Sequence, residues 1–202
     1  MLRAKIDTDN VSRQIGVFFA KFGLSANGWT VVSLILAIAG FVEAYLHNLT
    51  PCFILFVFSC LIDTVDGAVA KATQTATNKG AFFDGIIDRY VELLIYFSIL
   101  VYGAPRLILP ASGWIALAIA GSLMTSYTLA YADHKKVITD SKALKSMGGL
   151  LERLERTLLI GFGVLCAILF GEIWLTYMLI ATAVLSNFTA LQRITFVLRY
   201  EQ

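Results

Sequence analysis

Charge is scarce in this chain. Of its 202 residues only 15% are Asp, Glu, Lys or Arg, whereas 58% are hydrophobic, and the mean hydropathy is +0.76. Soluble domains are about 45–50% apolar. The scarcity therefore excludes an ordinary soluble protein, and the chain is too short to add a separate soluble domain. Cysteines are few. Cys52, Cys60 and Cys166 sit in apolar runs without the C-x-x-C spacing of a metal site, and they read as small buried residues. No sequence repeat or low-complexity run is present, and the opening MLRAKIDTDNVSRQIG lacks the apolar core of a cleavable signal peptide. The net charge of +2 says little as a total, and no nucleic-acid partner is expected.

Long apolar runs are what the chain does have. About 20 helical residues cross the roughly 30 Å hydrocarbon core of a bilayer. Six segments can do so, at 29–47, 51–71, 80–103, 112–133, 154–170 and 173–195. Ahead of them, DNVSRQIGVFFAKFGL sets Val11, Ile15, Phe18, Phe19 and Phe22 at helical spacing, with Arg13, Gln14 and Lys21 elsewhere on the wheel. That pattern suits a helix lying in the membrane interface, and it suits a helix packed on its neighbours equally well. The expected fold is an all-α integral membrane protein with six transmembrane helices and an N-terminal interfacial amphipathic helix. Residues 1–28 form the juxtamembrane segment and residues 29–202 the membrane domain.

The cations give an orientation. Arg3, Lys5, Arg13 and Lys21 precede the first span, Lys71 and Lys79 flank the loop after the second, and Lys135, Lys136, Lys142, Lys145, Arg153 and Arg156 occupy the longer, more polar loop around 134–152. Arg193 and Arg199 close the sixth span, and the opposite side holds only Arg106. A multi-pass cell-membrane protein is expected, with both termini and these loops in the cytoplasm.

The segment Leu61–Tyr90 breaks the apolar pattern with Asp63, Asp66, Asp84 and Asp88. A carboxylate at mid-bilayer costs at least about 2.5 kcal/mol on insertion scales, so four need a compensating partner. Asp63 and Asp66 are three apart and Asp84 and Asp88 four apart, so each pair shares a helical face. A short loop makes the two helices antiparallel neighbours whose acids converge. Lys71 and Arg89 cannot neutralise them all, and an all-carboxylate site favours hard divalent cations such as Mg²⁺, Mn²⁺ or Ca²⁺. Gly67 and Gly80 leave room for a ligand near the backbone, or for close helix packing. Two functions answer this chemistry: a metal-dependent phosphoryl-type enzyme, and an ion- or proton-coupled transporter.

The order Asp63-x-x-Asp66-Gly67-x-x-Ala70-Lys71, eight residues, then Gly80-x-x-x-Asp84-x-x-x-Asp88 resembles the signature of the CDP-alcohol phosphotransferase family, with Lys71 where the family usually has Arg. Lysine keeps the cation and loses bidentate phosphate recognition. The resemblance implies displacement of CMP from a CDP-linked alcohol by a second alcohol. It implies two divalent ions, Mg²⁺ or Mn²⁺, at Asp63, Asp66 and Asp84 with Asp88 near them, and Asp88 as the general base. Asp66, Gly67, Lys71 and Gly80 would line the CDP site. SANGWT resembles the family's Asn-x-x-Thr, so Asn27 and Thr30 would contact the nucleotide, or would serve as helix caps. A homodimer in contact with membrane lipids is implied as well.

The acceptor is read from the second half. SYTLAYAD at 126–133 and GGLLERLERTLLIGFG at 148–163 resemble the inositol-phosphate branch, although Leu129 and Tyr131 stand where that branch often has basic residues. Ser126, Lys135, Arg153 and Arg156 are the candidate acceptor phosphate ligands, because arginines pair bidentately with phosphate oxygens. The lysines alone also satisfy the positive-inside rule, and Glu152 and Glu155 are alternative partners for the arginines. The expected reaction joins a CDP-activated lipid, CDP-archaeol or CDP-diacylglycerol, to inositol 1-phosphate, in a style resembling archaeal members. The alternatives are a CDP-inositol donor, as in di-myo-inositol phosphate phosphate synthesis, and a glycerol 3-phosphate or serine acceptor.

Overall fold

The computed structural model describes residues 8–140, 143–144 and 147–200. Arg3, Lys5, Lys142 and Lys145 lie outside the described residues, as does the side chain of Val11. Seven helices run in order among the described residues: α1 (Thr8–Ala20), α2 (Ala26–Tyr45), α3 (Leu49–Ala72), α4 (Asn78–Tyr102), α5 (Ala111–His134), α6 (Arg153–Phe170) and α7 (Ile173–Arg199). No β-strand occurs among them. Each of the six expected spans coincides with one of α2–α7. α7 runs to Arg199, past the expected end at 195, because Arg193 and Arg199 interrupt the apolar pattern without interrupting the helix.

Local signals fix the boundaries. Gly23 adopts φ +74°, a left-handed conformation that separates α1 from α2. Ser25 caps α2, its Oγ accepting from the Gly28 amide at 3.2 Å. Thr77 does the same at the start of α4, accepting from the Gly80 amide at 3.0 Å. The Asn27–Thr30 stretch is therefore not the cap.

α2, α3, α5 and α7 are long and apolar enough to cross a membrane. The other two expected spans are more polar. α4 carries Lys79, Asp84, Asp88, Arg89 and Glu92, and the 18 residues of α6 open on Arg153, Glu155 and Arg156.

The chain divides into two compact units, at Ser98 and Ile99. In the first, α2 packs on α3 and α1 on α3. Small buried residues let α2 and α3 approach: Ala37 and Ala44 are fully buried, and a Cβ at Gly40 would sit 3.0 Å from the Phe56 ring. Trp29, Val65 and Val69 form the core, with Phe19 of α1 edge-on to Trp29 at 5.1 Å. α1 approaches so closely that a Cβ at Gly16 would lie 2.1 Å from the Ala68 carbonyl oxygen. On its other side Ile15, Val17 and Phe18 are exposed, as is Phe22 just beyond its end. Packing and an open apolar face thus coexist in this helix.

In the second unit α5 and α6 both pack on α7. A Cβ at Gly121 would lie 2.7 Å from the Asn187 backbone nitrogen, and one at Gly163 would lie 2.6 Å from Cβ of Met178. The segment expected to be a polar loop at 134–152 has a core of its own. Ile138 and Met147 are buried with Ala132, and Val197 and Tyr200 pack against them. Ile138 and Met147 are apolar side chains hidden within an otherwise polar stretch.

Candidate active site

Asp63 and Asp66 stand one turn apart on α3, and Asp84 sits on α4. One carboxylate oxygen from each lies within 4.8 Å of the others. Like charges at this spacing repel by roughly 3 kcal/mol per pair at an effective dielectric of about 20. Three hard oxygen donors held together against that repulsion fit a divalent, oxygen-seeking cation such as Mg²⁺ or Mn²⁺. Asp88, one turn beyond Asp84, is buried at 8% exposure and lies outside this trio. The convergence expected of four carboxylates is observed for three.

Asp66 is the most buried of the three, at 6% exposure, and its environment is built to hold it. The hydroxyl of Thr30, itself buried, donates to Asp66 Oδ2 at 2.5 Å. Ser33 Oγ in turn donates to the Thr30 carbonyl, and Ser59 Oγ donates from α3 to the Ser33 carbonyl, each at 2.8 Å. A buried carboxylate needs such donors. Here they also tie α2 to α3.

Beside the trio opens a cavity of about 350 Å³. Asn27 and Thr30 from α2, Asp66, Gly67, Ala70 and Lys71 from α3, and Gly80, Ala81 and Asp84 from α4 line it. All six residues expected at a nucleotide site are therefore in one wall system, with two of the three clustered aspartates. A Cβ at Gly67 would meet nothing within 4 Å, so this glycine faces open space and is not a packing contact. One at Gly80 would approach Asn27 Oδ1 to 3.4 Å. The volume lies within the range of small-ligand sites. Sequence reasoning missed Ser25, Thr75 and Thr77, which complete the rim. The signal for Thr75 and Thr77 is the run of hydroxyls in TQTAT, which turns on itself through a 2.8 Å contact between Thr73 and Thr75.

The four candidate acceptor ligands belong to the second unit. Arg156 is nearly fully buried, and its Nη1 donates to the Leu151 carbonyl at 3.2 Å. Arg153 and Ser126 are half-buried, and Ser126 Oγ donates to the Ser122 carbonyl at 3.4 Å. Lys135 is exposed at the end of α5, its Nζ 5.4 Å from the Tyr131 ring centroid. Glu152 pairs with Arg193, a cation whose sequence position speaks only to orientation. Arg193 Nη2 donates to Glu152 Oε1 at 3.1 Å, and its Nη1 donates to the Thr125 carbonyl at 2.9 Å. Forty-one positions separate the two, so no local pattern could have revealed the pair.

Residues 24–189 match the family described as CDP-alcohol phosphatidyltransferase. The archaetidylinositol phosphate synthase of Pyrococcus horikoshii is 30% identical over 183 residues, covering 90% of this chain and 87% of that protein. Among solved structures, the phosphatidylinositol phosphate synthase of Mycobacterium tuberculosis with CDP-DAG bound matches with a TM-score of 0.78 at 22% identity, over 94% of each chain. The same enzyme in complex with manganese and citrate matches with a TM-score of 0.77 at 22% identity, over 93% of this chain and 89% of the other. At that identity the two structures speak for the fold.

Proposed function

The chain belongs to the CDP-alcohol phosphatidyltransferase family, and from that premise we propose that it transfers a phosphatidyl-type group from a CDP-activated lipid, CDP-archaeol or CDP-diacylglycerol, to inositol 1-phosphate, releasing CMP. The observation that carries the reading is the single cavity in which Asn27, Thr30, Asp66, Gly67, Lys71 and Gly80 meet beside clustered carboxylates. The likeness to the P. horikoshii synthase over nearly the whole chain supports the choice of acceptor.

In this reading the cytidine diphosphate lies along Gly67 and Gly80, where a missing side chain leaves the backbone accessible. Lys71 contributes a point charge to the diphosphate. Asp63, Asp66 and Asp84 hold two divalent ions, with Asp88 beside them, and the ions supply charge neutralisation for the pyrophosphate. The acceptor hydroxyl attacks the lipid-side phosphorus, the bond from that phosphorus to the CMP oxygen breaks, and CMP leaves with the electron pair. The hydroxyl proton passes to the Asp88 carboxylate. Arg153 and Arg156, with Ser126 and Lys135, bind the dianionic phosphate of the acceptor. Thr30 keeps Asp66 oriented while charge moves nearby.

We place α2–α7 as six membrane spans with both termini and the site facing the cytoplasm, and the enzyme as a homodimer. The 25 residues of α4 reach about 37 Å, enough to cross despite their charges. The exposed Ile15, Val17, Phe18 and Phe22 support a position for α1 at the lipid interface.

The test is CMP release by the purified protein with Mg²⁺ or Mn²⁺, crossing CDP-archaeol, CDP-diacylglycerol and CDP-inositol with inositol 1-phosphate, glycerol 3-phosphate and serine. Turnover with a CDP-lipid and inositol 1-phosphate is expected. Turnover only with CDP-inositol overturns the lipid donor, and turnover only with another acceptor overturns the inositol phosphate. Solute flux in proteoliposomes without CMP release would return the transporter.

A further inference from the structure

The segment Gly148–Glu152 has no regular secondary structure, yet one face of α7 grips it at almost every residue. The Leu150 amide donates to Gln192 Oε1 at 3.1 Å, and the Leu151 amide donates to Thr189 Oγ1 at 2.9 Å. Arg193 adds a bond from Nε to the Gly148 carbonyl at 3.4 Å and the Glu152 ion pair. Thr189, Gln192 and Arg193 stand at i, i+3 and i+4, so all three project from one side of the helix. The approach is very close: a Cβ at Gly149 would lie 2.1 Å from Thr189 Cγ2.

Thr189 is fully buried and its hydroxyl is used in both directions. It accepts from the Leu151 amide and donates to the Leu185 carbonyl at 2.9 Å. Leu151 in turn accepts from Arg156 Nη1 on its carbonyl. A continuous chain of bonds therefore runs from α7 through the Leu151 backbone to the guanidinium of Arg156. Arg153, at the first position of α6, directly follows the gripped segment.

We propose that Thr189 and Gln192 are positioning residues for the acceptor: by fixing the Leu150 and Leu151 backbone from α7 they aim Arg153 and Arg156 at the phosphate of the acceptor alcohol. This rests on the acceptor reading above. Neither side chain touches substrate. They act on the acceptor arm alone, whereas the donor cavity is built from residues of the first unit. The signature is a split between the two substrates.

The experiment measures CMP release with one substrate varied at a time, for Thr189→Val, Thr189→Ser and Gln192→Ala. Loss of one net hydrogen bond corresponds to about a two- to tenfold change. Thr189→Val and Gln192→Ala should raise the KM for inositol 1-phosphate by about that factor, leave the KM for the CDP-lipid unchanged, and lower kcat little. Thr189→Ser, which keeps the hydroxyl, should restore the acceptor KM. Gln192 is exposed, so Gln192→Ala reads the same effect even if Thr189→Val fails to fold. Equal rises in both KM values, an unchanged acceptor KM in Gln192→Ala, or no difference between Thr189→Val and Thr189→Ser would overturn the proposal. Arg153→Ala separates the two readings. A raised acceptor KM there with none in Thr189→Val and Gln192→Ala defeats the positioning role alone, and an unmodified protein whose CMP release ignores inositol 1-phosphate defeats both.

Discussion

The hydroxyl of Thr30 donates to Oδ2 of Asp66 across 36 positions of sequence, and this bond orients the most buried carboxylate of the candidate metal site. Removing an outer partner of a metal-binding group typically costs 10–100-fold in affinity. Thr30→Val should therefore raise the Mg²⁺ or Mn²⁺ concentration for half-maximal CMP release by about ten- to a hundredfold. Thr30→Ser should stay close to the unmodified protein. A metal titration of both variants decides it, and identical metal curves for Thr30→Val and wild type would remove Thr30 from the site.

Gly67 should separate stability from activity. A Cβ there meets nothing within 4 Å, and replacing a helical glycine by alanine gains about 1 kcal/mol in propensity. Gly67→Ala should thus raise the unfolding temperature in detergent while increasing the KM for the CDP-lipid, because the methyl group enters the cavity. A fall in thermal stability would show that the position is a packing contact.

Gly16 should behave in the opposite way. Its side faces the Ala68 carbonyl at a distance no Cβ can occupy. Gly16→Ala should destabilise the protein by about 1–3 kcal/mol through overpacking, seen as a lower unfolding temperature, with weaker docking of α1. An unchanged melting curve would mean that α1 does not need this contact.

Chelation should abolish turnover. EDTA is expected to stop CMP release, and added Mg²⁺ or Mn²⁺ should restore it. Asp84→Asn, which removes one charge from the trio, should not be rescued at the same metal concentration. Turnover that survives EDTA would contradict a metal role for Asp63, Asp66 and Asp84.

Lys71→Arg offers a gain instead of a loss. Lys71 lines the cavity as a single point charge, whereas arginine can meet a diphosphate with two parallel bonds. The donor KM should fall severalfold with the acceptor KM unchanged. A higher donor KM would indicate that the cavity is shaped around the smaller ammonium.

Much of this was legible in the sequence because helices write themselves locally. The 3.6-residue period and the apolar runs located α2–α7 to within a few residues, and the spacing of Asp63, Asp66 and Asp84 across a short loop foretold carboxylates that the structure brings within 4.8 Å. Gly67 and Gly80 could be placed beside a cavity for the same reason. What stayed hidden is long-range or conditional. The Thr189 and Gln192 grip joins residues 38 and 42 positions apart. Asp88 shares a helical face with Asp84, but sharing a face is a weaker condition than converging on one point. Ser25 took the capping role that Asn27 and Thr30 could have filled, since all three are competent caps and only the backbone course chooses among them.

The bonds from Ser59 to Ser33, from Ser33 within its own helix, and from Thr30 to Asp66 have a mechanical consequence. In a lipid environment apolar surfaces gain nothing by meeting each other, so a purely aliphatic seam between α2 and α3 would let one slide along the other. Hydroxyl groups anchored to specific carbonyls act as detents. A bilayer that thins, thickens or changes its acyl composition can tilt the pair as a body, but sliding it breaks bonds that no water replaces. The spacing of the cavity-lining groups on α2 and α3 is thereby insulated from changes in the bilayer around them.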